Sequence, residues 1–150
     1  MSILYREAHI IKSFGIKTIY QGNLKKNDDI YYGLLNLIKR NNIKAGVISG
    51  IGEIFEARIA FFDCLKNNIR EVCFHEPMNI ISLHGNISIK KDLPYLHIHI
   101  LLSRQDLSLV GGHLLPQTLA YAFEFEIFEF SGEPYQRKYD EEANLYLWSD

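Results

Sequence analysis

Between Asp28 and Arg40 apolar residues recur three and four positions apart. Ile30, Tyr31, Leu34, Leu37 and Ile38 fall along one stripe, which is the spacing of an amphipathic helix. Asn27, Asp28 and Asp29 precede it, with side-chain oxygens able to accept from the free amides of a first turn. Lys39 and Arg40 close it, where the helix dipole favours positive charge, and Asn41 and Asn42 suit its termination. After residue 44 the period changes to two. "KAGVISGIG" is short, apolar and β-branched. In "IFEARIAFFD", Phe55, Ala57, Ile59 and Phe61 alternate with Glu56, Arg58, Ala60 and Phe62. "NIISLHGNISIK", "YLHIHILLS" and "AYAFEFEIFEF" keep the same habit. In the last of these, Phe123, Phe125 and Ile127 share one face, while Glu124, Glu126 and Phe128 share the other.

One strong helix and several strands joined by short connections predict an α+β domain. The expected form is a largely antiparallel sheet packed with one main helix and short extra helices. No linker, repeat or low-complexity segment divides the chain, so residues 1–150 read as a single domain, with 1–14 as a leader. "SGIGEIF" holds Gly50 and Gly52 without the third glycine of a dinucleotide loop or the Gly-Lys-Ser/Thr of a phosphate loop. It predicts a tight turn between two strands. Ser49 lacks the G-x-S-x-G surroundings of a nucleophile elbow.

Composition narrows the class. Hydrophobic residues make up 47% and charged residues 23% of 150 residues, with a net charge of −2, as in ordinary globular domains. A surface that grips nucleic-acid phosphates usually carries a basic excess, which is absent, and the pairs Lys25-Lys26, Lys39-Arg40 and Lys90-Lys91 are dispersed. Cys64 and Cys73 form no C-x-x-C pair and lie in apolar stretches, so they read as buried, reduced thiols. No secretory signal or eighteen-residue apolar run is visible. The expected setting is cytoplasmic, away from membranes.

The unusual chemistry lies in "LPYLHIHILLSRQDLSLVGGHLLP", which holds His97, His99 and His113, three of the six histidines. Residues two apart on a strand share a face, about 6.5–7 Å apart along the chain. His97 and His99 can therefore lean onto one ion. Alone, such a pair more often reflects hydrogen-bonded structural histidines. The polar "SRQDLS" can turn the chain, which brings His113 back level with His97 to His99. Gly111 and Gly112 would allow a bulge or a close backbone approach there. Three converging imidazoles form a site for zinc or a similar divalent metal, with a fourth position open to water or a small ligand. Glu124 or Glu126 could accept the remaining ring N–H groups, serve as a fourth ligand or act as a base. They could equally face solvent. His84 is a further candidate neighbour, whereas His9 and His75 read as ordinary surface or interface residues.

The order S-G-I-G, L-H-x-H and G-G-H-L, together with "NDDIYYGLLNLIKRNNIKAGVISGIGEIFEARIAFFD" and "NIISLHGNIS", resembles the PPC domain in its free-standing prokaryotic form. The resemblance runs from about Tyr20 to Trp148. It implies a compact domain on an antiparallel sheet, assembled as a homotrimer. It also implies metal binding at the histidines matched by His97, His99 and His113. The DNA-binding label of that family rests mainly on plant members with AT-hooks, and this chain has no Arg-Gly-Arg hook. Asn79 stands where many relatives have glutamate. Three functions follow: a metal-binding trimer that takes a small ligand, a DNA-associated regulator, and a protein-interaction module in which the histidines are structural. The aromatic stretch Tyr121 to Phe130, apolar on both faces, must be covered by a subunit interface or an intramolecular layer.

Overall fold

The amphipathic stripe forms the helix its spacing predicts. In a computed structural model describing residues 10–149, α1 spans Ile30–Arg40 and buries Ile30, Leu34 and Ile38. The Asp29 side chain accepts from the Tyr32 amide, and Asn41 caps the other end. Eight of the nine strands then form one path of a single sheet. The nine are β1 (Gly15–Leu24), β2 (Gly46–Asp63), β3 (Asn68–Phe74), β4 (Met78–Lys90), β5 (Leu93–Ser103), β6 (Leu109–Leu114), β7 (Leu119–Ser131), β8 (Gln136–Asp140) and β9 (Leu145–Ser149). The path runs β1-β7-β2-β6-β5-β4-β8-β9, with β3 paired to β2. All pairings are antiparallel except one short parallel contact between β4 and β8 at Ile89 and Gln136. The α+β reading holds. The extra helices do not, because among the described residues α1 is the sole helix. The β2–β3, β4–β5 and β5–β6 connections are tight turns with positive-φ residues such as Asn67, Asp92 and Leu107, too short for a helix to nucleate.

β2 organises the molecule. Its first half pairs with β7 and β4, and its second half with β3 and β6. Because β4 pairs with β5 and β5 with β6, the circuit β2-β4-β5-β6 closes on itself. This corrects the expected turn at Gly50–Gly52, since the chain continues through these residues as one strand. The glycines instead mark a register shift against β4. Gly52 takes φ +152°, and a Cβ there would collide with the Ala122 carbonyl, so the position bends the strand.

Inside the curl, Ile48, Ile54, Leu83, Ile98, Ile100, Leu102, Phe123 and Ile127 meet the helix residues Ile30, Leu34 and Ile38. Burial of apolar surface at about 25 cal/mol per Å² is the main force holding the layers together. The alternation called for β7 is present, with Phe123, Phe125 and Ile127 buried. Glu129 also falls on that buried face, 3% exposed, where Lys17 Nζ donates to it at 2.7 Å. Cys64 and Cys73 are free but exposed. The expectation of burial fails because the β2–β3 ribbon extends beyond the layers that cover the rest of β2. In the leader, Phe14 stacks on Phe130 at 5.4 Å and the Lys12 amide donates to the Tyr135 hydroxyl. His9 lies outside the described residues. No described helix is long and apolar enough to cross a membrane.

Candidate metal centre

Strand register brings the histidines together. The 104–108 turn is closed by a bond from the Arg104 amide to the Ser108 carbonyl and by Asp106, which accepts from the Ser108 amide and hydroxyl. β6 then returns beside β5 with His113 directly opposite His99. The expected hairpin is present. The glycine pair makes no bulge, because the register runs unbroken. It permits a close approach instead: a Cβ on Gly112 would sit 2.5 Å from the Ala60 carbonyl oxygen, and one on Gly111 would sit 2.8 Å from that of Ile100.

The alternation that buries Ile98 and Ile100 puts His97 and His99 on the opposite face. Their Nε2 atoms are 3.2 Å apart. The ring centroids of His97 and His113 are 5.2 Å apart, and those of His99 and His113 are 4.2 Å apart. One ligand atom from each of the three lies within 4.8 Å of the others. Two nitrogens each 2.0–2.1 Å from a tetrahedral zinc are separated by about 3.3 Å. The His97–His99 spacing therefore already matches one edge of such a polyhedron, and His113 needs a side-chain adjustment of an ångström or so to complete the face.

The electrostatics suit a ligand set. Burial pushes the His97 pKa down to about 4, aided by Arg137, His99 and His113. Burial also lowers that of His113, with His99 adding to the effect. Both rings stay neutral near pH 7, the form that can donate a lone pair to a metal.

The polar face continues beyond the trio. Following the register from strand to strand, Gln21, Glu126, Ser49, His84, His99 and His113 stand opposite one another in a row across the sheet. His84 is thus beside His99, exposed, and outside the three-residue group. Glu124 and Glu126 are not brought to the histidines. β2 and β4 intervene, so Glu126 is three strand spacings, about 14 Å, from His99 along the sheet. Its carboxylate accepts from Gln21 at 2.9 Å and from Ser49 at 3.3 Å. Asn79 pairs with Ser103 and Glu53, toward the other end of β4. His75 is exposed, 3.6 Å from the Glu56 carboxylate.

The sequence reading missed Arg137. From β8 it donates to Ser88 Oγ at 2.8 Å, to Asn86 Oδ1 at 3.0 Å and to the Tyr146 carbonyl at 2.9 Å. Its guanidinium lies over the Tyr95 and Trp148 rings. Asn86 is the register partner of His97, so this clamp fixes the strand behind the first histidine. Asn86 sits two residues after His84 and shares its face. Nothing local to Arg137 signals the role.

A family model described as the Plants and Prokaryotes Conserved (PCC) domain matches residues 11–131. The chain belongs to this family. Among solved structures, this PCC domain is similar to a metal-containing protein from Archaeoglobus fulgidus, with 30% identity and a TM-score of 0.89 over 94% of this chain and 99% of the other. A plant- and prokaryote-conserved protein from Pyrococcus horikoshii matches at 26% identity and TM-score 0.87, covering 94% and 97%. A protein from Bacteroides thetaiotaomicron, provisionally named as DNA-binding, matches at 31% and 0.83, covering 91% and 96%. Comparison with curated proteins finds no match.

Proposed function

We propose that this PCC domain is a metal-binding protein that holds zinc or a similar divalent ion on His97, His99 and His113 and works as a homotrimer. The observation that carries the reading is the 3.2 Å separation of the His97 and His99 nitrogens with His113 in register beside them. When bound, the ion supplies a Lewis-acidic position for a small oxygen-donor ligand. The strand register places the three rings, and burial keeps those of His97 and His113 neutral. In this reading Glu126 stays in its network with Gln21 and Ser49 and takes no place among the ligands. Similarity to the metal-containing Archaeoglobus protein supports the assignment. Free, exposed Cys64 and Cys73 suit a reducing, cytoplasmic setting.

The test is metal analysis after zinc loading and removal of excess. About one ion per chain is expected for three histidines forming one site, with none retained by His97→Ala. A loaded wild-type protein without bound ion would reject the reading.

DNA association is the second reading, supported by similarity to the provisionally named Bacteroides protein. With a net charge of −2 per chain, it needs a positive surface built by assembly. Salt-dependent retardation of duplex DNA would support it. No retardation at low salt would dispose of it. A pure interaction module predicts that replacing all three histidines leaves assembly unchanged.

A further inference from the structure

β5 and β6 separate on the amino-terminal side of His99. The described pairing between them covers only His99 to Ser103 on β5, because β6, which lies between β5 and β2, ends at Leu114, where its last pairing is with Ile59 of β2. A cavity of about 510 Å³ fills the resulting notch, with His97 and His113 in its wall. Tyr31 and Tyr32 of α1, Phe62 of β2, Ile69 of β3, Tyr95 of β5 and Leu145 of β9 are among the residues that complete the wall. The size falls within the roughly 300–1,000 Å³ typical of small-molecule sites, and an apolar wall with a few convergent polar groups is their usual character.

Resting on the metal reading above, we infer that the ligand taken at this centre is a small oxyacid with an aromatic or branched apolar body. Its oxygen-bearing head reaches the ion beside His97 and His113, and its body lies in the notch. Three observations converge on that chemistry. Tyr32 and Ile69 are 51% and 65% exposed, so two large apolar surfaces at the rim lack cover that a ligand body would provide. The charge at the histidine end is positive, from the ion and from Arg137, which stands over the Tyr95 ring at 4.9 Å. The acid in the wall, Glu71, is engaged by Arg58 through two hydrogen bonds, so it does not oppose an anionic head. The larger groove of about 650 Å³, lined by Gln21, Ser49, His84 and Glu126, is more polar and includes none of the trio. It does not fit an apolar body joined to the metal.

The test uses cobalt-loaded protein, because the visible bands of Co(II) report both metal uptake and ligand entry without any assay of activity. Benzohydroxamate and acetohydroxamate present the same chelating head and differ in the ring. Benzohydroxamate is expected to bind at least about tenfold more tightly, as burial of an aromatic ring predicts. The double variant Tyr32→Ala/Ile69→Ala, altered only at exposed positions, is expected to reduce the preference to under about threefold while the acetohydroxamate Kd is unchanged. Equal affinities in the wild type overturn the inference, as does a preference untouched by the double variant. In both cases the cobalt spectrum before ligand addition shows that the metal site itself stands. Failure to take up cobalt removes both readings together.

Discussion

Replacing Gly112 by alanine tests whether close strand packing is what places His113. The added Cβ would stand 2.5 Å from the Ala60 carbonyl oxygen and 3.3 Å from its carbon. A comfortable C···O approach is about 3.3 Å, so β6 and β2 must separate by about 0.8 Å there. The obstacle is backbone, so no side chain can swing aside. His113 is the next residue and pairs with Ala60 itself, so much of that displacement reaches the imidazole. Metal–ligand distances tolerate about 0.2 Å. A ligand moved by several times that amount weakens the site much as loss of a supporting contact does, about 10–100-fold. Overpacking should also cost about 1–3 kcal/mol of stability. Zinc affinity is measured by competition with a chromophoric chelator, and stability by urea titration of the metal-free protein. His84→Ala, which removes an exposed ring outside the trio, is the control and should bind as the wild type does. Zinc affinity within twofold of wild type for Gly112→Ala would refute the reasoning.

The other predictions concern pH and the clamp on β4. In the folded protein the His97 pKa is pushed down to about 4, below the value of about 6.5 in an unfolded chain. Between those values the unfolded state binds more protons, so stability rises with pH. The metal-free protein should therefore lose stability as pH falls from about 6.5 toward 4, and His97→Gln should flatten part of that slope in urea titrations; identical slopes would contradict the assignment. Arg137→Lys keeps the charge but loses the fork that reaches Ser88, Asn86 and Tyr146 together. It should cost about 1–3 kcal/mol and speed proteolysis within residues 136–149; unchanged stability and cleavage would show that the clamp contributes nothing.

Much of the architecture is legible where one period dominates. The stripe from Ile30 to Ile38 can bury itself only as a helix, and the Phe123–Phe125–Ile127 alternation only as a strand. The histidine site is legible because H-x-H fixes a shared face and the polar turn before Leu109 fixes the register that returns His113. What escapes depends on tertiary context. "NIREVCF" has no clean alternation because β3 is covered on little of its surface, and this also explains why Cys73 is exposed. Gly50 and Gly52 look like a turn locally, yet β4 and β7 hold the chain extended through them on both sides. Glu129 looks like a surface charge until Lys17 from a distant strand is seen to pair with it. The notch beside the histidines draws on Tyr32, Phe62, Tyr95 and Leu145, residues from four elements that no local pattern groups.

The central claim is that three imidazoles from β5 and β6 share one ion. An anomalous-difference map from zinc-loaded crystals, recorded at the zinc absorption edge, tests it most directly. The account predicts one peak per chain about 2.0–2.1 Å from a ring nitrogen of each of His97, His99 and His113. A map with no peak there, or with zinc held only by other side chains, would contradict it.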